Sequence, residues 1–146
     1  LSSIHNAVSQ PPAAGPSLGG KILCVDDDPD IVIFMRRCLE AEGYEIDDCD
    51  SGEEALRRLQ SRDYALVLLD IAMPGIDGWE TCRRIKTSAS LAGIKVYMVT
   101  AKPIDAKNPL IKSSGCDGFI QKPFHPEDIV EIISGLVRRP HTAKKV

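Results

Sequence analysis

A chain of 146 residues can bury one proper hydrophobic core and is too short for two comfortable ones, so a single domain is the default. Its net charge of −3 and pI near 5.6 leave no basic footprint for a nucleic-acid groove or an anionic membrane surface, which directs attention to proteins and cations as partners. No apolar run approaches the roughly 18 residues that span a bilayer, and five dispersed cysteines without a CxxC pair (Cys24, Cys38, Cys49, Cys82, Cys116) suit buried free thiols in a reducing, cytoplasmic setting.

Residues 1–20, ending in SQPPAAGPSLGG, are rich in Pro, Gly, Ala and Ser without periodicity. That is the composition of a disordered linker or extension, and it is set aside from the fold. The first strand is expected at 21–25 and stops abruptly in four carboxylates within five residues, VDDDPD. Asp28 precedes Pro29, a good first helical residue, so it reads as a helix cap, with Asp30 favoured by the helix dipole in the first turn. The helix that follows has apolar spacing through Ile31, Met35, Cys38, Leu39 and on to Glu42.

Ile31-Val32-Ile33-Phe34 open that helix, and at about 100° per residue four consecutive apolar side chains cannot all face a core. A weaker strand is expected at 44–48, then a helix through Ala55, Leu56 and Leu59, a strand over 65–69 (ALVLL), and a helix through Trp79, Cys82 and Ile85. A fourth strand is expected over 94–99 and a fifth over 118–121, before a last helix through Ile129, Ile132, Ile133 and Leu136. Between the last two strands Pro103 and Pro109 exclude one uninterrupted helix from 103 to 114, since an interior proline costs about 3 kcal/mol; a short helix beginning at Pro109 and capped by Asn108 is the better reading. The basic end, RPHTAKKV, reads as a solvated tail over 139–146. His5, His125 and His141 share no context and read as surface residues.

Strand and helix thus alternate, and runs such as LVLL, apolar at every position, suit strands covered on both faces. The expected architecture is an α/β doubly wound parallel sheet, whose ligands sit beyond the carboxyl ends of the strands where the winding reverses. Asp26 and Asp27 follow the first strand, Asp70 the third, Thr100 ends the fourth and Lys122 follows the fifth. Converging carboxylates repel one another unless a cation neutralises them. A hard divalent ion such as Mg²⁺, which accepts one or two carboxylates and keeps positions for phosphate oxygens, answers that need, and a lysine and a hydroxyl opposite could bind the remaining phosphoryl oxygens.

The motifs VDDD (25–28), LLDIAMPGIDGWE (68–80), MVTA (98–101) and IQKPF (120–124), in this order and at these spacings, resemble those of response-regulator receiver domains, the phosphoacceptor modules of two-component signalling, over about residues 21–138. The resemblance implies a flavodoxin-like sheet of five strands in order 2-1-3-4-5. It implies that Asp70 is the phosphoacceptor, Mg²⁺ (or Mn²⁺) is held by Asp26, Asp27, Asp70 and the backbone carbonyl of Ala72, and Lys122 neutralises the transferring oxygens. Thr100 and Phe119 would be the switch pair, and Pro123 would follow a cis peptide bond. The implied donor is a histidine kinase or a histidine phosphotransfer protein docking near the start of the first helix, where an exposed apolar residue could form a contact. The implied output passes through the face made by the fourth helix, fifth strand and fifth helix to a downstream protein or to other domains of a parent chain.

Such a domain would be a signalling switch and not an enzyme, catalysing only its own phosphorylation and dephosphorylation. An aspartyl-phosphate phosphohydrolase of the haloacid-dehalogenase type would need a second Asp two residues after the nucleophile, where Ala72 stands. A receiver-like module that no longer takes phosphate would be expected to lack an acid, the acceptor or the lysine, and all are present. Stand-alone regulators of the chemotaxis type and receivers belonging to longer proteins both fit; the linker-like start and the absence of an initial Met lean toward a larger parent.

Overall fold

The computed structural model describes residues 17–18 and 20–138. Five parallel strands, β1 (Lys21–Val25), β2 (Ile46–Cys49), β3 (Tyr64–Asp70), β4 (Lys95–Thr100) and β5 (Gly118–Gln121), form one sheet in the order β2-β1-β3-β4-β5. The helices are α1 (Pro29–Glu40), α2 (Gly52–Ser61), α3 (Gly78–Thr87), α4 (Pro109–Ser114) and α5 (Pro126–Ser134). The doubly wound order expected from the alternation and the motifs is therefore the order found. In addition Ser17–Leu18 runs parallel to Val137–Arg138, so described structure reaches into the segment set aside as linker. The other residues of that segment before Ser17, and the tail from 139 on, lie outside the described residues.

Alternate residues of each central strand feed two cores. Ile22, Cys24, Leu66, Leu68, Tyr97, Val99 and Ile120 meet α1 and α5 through Met35, Leu39, Ile129 and Ile133. Leu23, Val25, Val67, Leu69, Val96 and Met98 meet α2 and α3 through Ala55, Leu59, Cys82 and Ile85 on the other face. Burying each such side chain contributes about 1.5–3 kcal/mol, which is why strands apolar at every position are stable only between two helical layers. Cys24, Cys49 and Cys82 are buried within these cores and all five cysteines are free, with burial pushing the Cys24 thiol up to about 12.

Caps set where the helices begin. Asp28 accepts from the Asp30 amide at 2.9 Å, Ser51 from Glu54 at 3.1 Å, and Asp77 from Glu80 at 2.8 Å, each satisfying an amide with no partner inside its helix. The fourth helix is the short piece that the two prolines required. Asn108 accepts from the Leu110 amide at 2.9 Å, Pro109 opens six helical residues, and Gly115 at φ 78° closes them. Among the described residues no helix is long and apolar enough to cross a membrane.

Candidate functional site: an acid cluster at the sheet's switch point

The winding direction reverses between β1 and β3, and both strands end in carboxylates at that point. Asp26 is 3% exposed, beside the exposed Asp27 and the largely buried Asp70. One oxygen from each lies within 4.8 Å of the others. Asp26 is held from three sides: its amide donates to the Cys49 carbonyl at 3.1 Å, its Oδ1 accepts from the Asp28 amide at 2.9 Å, and its Oδ2 accepts from Lys122 Nζ at 3.1 Å. Lys122 Nζ also stands 3.7 Å from Asp70 Oδ1. The Lys122–Pro123 peptide bond is cis.

These contacts crowd two low-accessibility carboxylates around one ammonium group. Burial, and secondly the Asp26 charge, push the Asp70 carboxyl up to about 6, with Lys122 acting in the opposite direction. The cluster is thus short of positive charge and offers only hard oxygen donors. That chemistry fits Mg²⁺ or Mn²⁺, and does not fit a soft metal.

Thr100, 4% exposed, ends β4 with its hydroxyl engaged by its own loop: it donates to the Lys102 carbonyl at 3.2 Å and accepts from the Lys102 amide at 3.1 Å. Phe119 pairs in register with Met98 and is half-buried against the α2–α3 core. Ala72 is exposed in the loop after Asp70. That loop turns tightly: Gly75 has φ 79°, and the Gly78 amide donates to the Ile71 carbonyl at 2.8 Å. A side chain at Gly78 would collide with the Asp70 carbonyl, so only glycine lets α3 start this close to β3.

Two residues that sequence reasoning passed over also act here. Gln121 Nε2 donates to the carbonyls of Thr100, Ala101 and Lys122 at 3.2, 3.0 and 3.2 Å, tying the ends of β4 and β5 together. Glu53 Oε2 accepts from the Ile76 amide at 3.1 Å. Apart from the adjacent Lys122 carbonyl, their partners lie 20 to 23 residues away along the chain, and no local spacing signals them. Beside the acids, α1 and α2 border a cleft of about 670 Å³ whose walls include Val32, Ile33, Arg57 and Arg58. Ile33 is 48% exposed, as the four-residue apolar run required of one of its members. His125 is exposed; His5 and His141 lie outside the described residues.

The response regulator receiver domain family matches residues 22–134, nearly all of the five-stranded fold. The chain belongs to that family. The receiver domain is 40% identical over 119 residues to the transcriptional regulatory protein ResD of Bacillus subtilis, a match covering 82% of this chain and 48% of ResD. It spans about half the length of the curated relatives it matches. Among solved structures, chemotaxis response regulator CheY4 of Vibrio cholerae superposes with a TM-score of 0.74 at 27% identity, covering 79% of this chain and 96% of that one. Response regulator TrrA of Thermotoga maritima, solved in complex with Mg²⁺ and BeF, gives 0.71 at 35% identity, covering 79% and 96%. Receiver domains are the phosphoacceptor signalling modules of two-component systems, phosphorylated by histidine kinases and binding Mg²⁺ at an acidic pocket, and a cluster of three Asp residues is present at the switch point of this chain.

Proposed function

We propose that this receiver domain, bounded at about residues 21 and 138, accepts a phosphoryl group on Asp70 from a histidine kinase or histidine phosphotransfer protein in the cytoplasm. The observation that carries this reading is the convergence of Asp26, Asp27 and Asp70 within 4.8 Å, with Lys122 reaching both Asp26 and Asp70. The transfer breaks a phosphorus–nitrogen bond on the donor imidazole and forms a phosphorus–oxygen bond to Asp70, without a separate substrate and without turnover of one.

Asp26, Asp27, Asp70 and the carbonyl of Ala72 are the groups that would hold Mg²⁺ or Mn²⁺. When bound, the ion neutralises charge on the transferring oxygens. Lys122 supplies the second cation, and its fixed distances mean that little reorganisation is needed when a doubly charged group arrives. Thr100 is the hydroxyl within the site whose present partners are weak backbone contacts of 3.1–3.2 Å, so exchange for a phosphoryl oxygen costs little. Phe119, half-buried, follows that movement, and the α4–β5–α5 face changes between two packings by a population shift. The downstream target is a protein or a further domain of a parent chain.

Thermal unfolding with Mg²⁺ and beryllofluoride tests the reading without a cognate kinase. A stabilisation by the two additives together that exceeds that by Mg²⁺ alone, and whose excess disappears in Asp70→Asn, supports it, because a ligand of the folded state raises stability by mass action. An unchanged midpoint with both additives refutes it.

A further inference from the structure

The loop Ile71–Asp77 connects the acceptor Asp70 to α3 and carries the Ala72 carbonyl. At its far end it is fixed by Gly78, packed without a Cβ against the Asp70 carbonyl. Its middle is held from a different helix. Glu53, the second residue of α2, turns its carboxylate onto the loop, where Oε2 accepts from the Ile76 amide at 3.1 Å. The approach is close: a Cβ at Gly75 would lie 2.6 Å from that oxygen, and Gly75 holds φ 79°, a conformation glycine adopts readily. Gly52, the preceding residue, packs against the Ile76 side chain with no room for a Cβ, which would meet Ile76 Cγ1 at 2.8 Å. Helix α2 therefore grips the Gly75–Ile76 turn with two consecutive residues.

An acidic residue in the first turn of a helix is also favoured by the helix dipole, which would explain Glu53 without reference to the loop. Glu54 separates the two explanations. It shares the first turn, yet its carboxylate faces Arg57 and Arg58 and makes no hydrogen bond to the loop among the described residues. The dipole accounts for Glu54 and leaves the direction of Glu53 unexplained.

We propose that Glu53 is a positioning residue for the cation site: by accepting from Ile76 it fixes the loop that follows Asp70, and with it the Ala72 carbonyl. This inference rests on the metal reading given above. Groups that hold a ligand in place, without touching the ion, commonly govern its affinity by factors of ten or more. The hydrogen bond and not the charge is the operative feature, so an amide oxygen at position 53 should serve and a methyl group should not.

The test is calorimetric titration of Mg²⁺ into wild type, Glu53→Ala, Glu53→Gln and Glu54→Ala, with hydrogen exchange of the Ile76 amide measured in chelator. Glu53→Ala is expected to lose about tenfold in Mg²⁺ affinity and to exchange Ile76 faster, at the low end of such positioning effects. Glu53→Gln should stay close to wild type in both, and Glu54→Ala should leave Mg²⁺ affinity unchanged. Wild-type affinity in Glu53→Ala, or equal losses in the Ala and Gln variants, would overturn the inference while leaving the metal reading intact. A wild type that binds no Mg²⁺ would overturn both. Should Glu53→Ala not fold, Glu53→Asp, whose carboxylate ends one methylene short of Ile76, carries the same expectation.

Discussion

Replacing Asp70 with Asn should make the metal-free protein more stable. Folding raises the Asp70 carboxyl from 3.8 to about 6, mainly by burial and then by the Asp26 charge. Each unit corresponds to about 1.4 kcal/mol, so the ionised side chain opposes folding by about 3 kcal/mol before solvent is considered. Water at the open, Asp27 side of the cluster screens this to about 1–2 kcal/mol. The sign follows from linkage. Because the folded state holds the proton more tightly, the penalty is absent below the unfolded value of 3.8, grows as pH rises to about 6, and is complete at neutrality. Asn resembles the protonated carboxyl and escapes the penalty.

The assay is thermal or urea unfolding in chelator across that pH range. Asp70→Asn is expected to unfold about 5 °C higher than wild type at neutral pH, a shift proportionate to this free energy in a domain of this size. The difference should vanish below pH 3.8, where both side chains are neutral. Mg²⁺ should also close the gap by stabilising wild type alone. Equal or lower stability of Asp70→Asn at neutral pH in chelator, or an advantage that persists unchanged in acid, would refute the electrostatic account of the cluster.

Other consequences follow from named contacts. Lys122→Met keeps the stem but removes the ammonium 3.1 Å from a carboxylate that is 3% exposed, and should cost about 2 kcal/mol in chelator, partly recovered by Mg²⁺; urea midpoints unchanged from wild type would contradict it. Tyr97 lies in the core with a buried hydroxyl that has no hydrogen-bond partner among the described residues, so Tyr97→Phe should gain about 1 kcal/mol in urea unfolding, and a loss would show that the hydroxyl has a partner after all. Ile33→Glu, at a 48% exposed position on the cleft wall, should change stability by less than about 0.5 kcal/mol. The same variant should slow phosphotransfer from a histidine-bearing protein while leaving phosphorylation by a small-molecule donor unaffected; equal protein-donor rates in variant and wild type would remove Ile33 from the docking surface.

Much of this architecture can be read along the chain, because the sheet demands strands apolar at every position and the helices demand a 3.6-residue stripe. The first and fifth strands fall where expected, β3 extends one residue beyond the expected run at each end, and β4 is shifted by one residue. The edge strand β2 was harder. The apolar pattern places it at 44–48 and it runs Ile46–Cys49, because Gly43 at φ 93° turns the chain and Tyr44 then packs into the core before the strand begins. Its middle residues are polar, since an edge strand has fewer neighbours to demand apolar side chains: Asp47 accepts from Tyr64 Oη at 2.6 Å and Asp48 pairs with Arg36 at 2.7 Å. The broken fourth helix was legible from two prolines alone.

The site divides differently. That Asp26, Asp27 and Asp70 would meet follows from where strands end in a doubly wound sheet. The distances between Lys122 and the two acids do not follow, because they depend on how the loop after β5 is directed across 96 residues of sequence separation from Asp26 and roughly half that from Asp70. The roles of Glu53 and Gln121 were invisible for the same reason. Each is a polar residue at a helix start or strand end, indistinguishable from a solvated one until its distant backbone partners are known.

Whether Asp70 is the phosphoacceptor is decided by intact-mass measurement after incubation with phosphoramidate and Mg²⁺. One added phosphoryl group is expected on wild type, with none in chelator and none on Asp70→Asn. Phosphorylation of Asp70→Asn to the wild-type extent, or an unmodified wild type under conditions where Mg²⁺ binds, would contradict it.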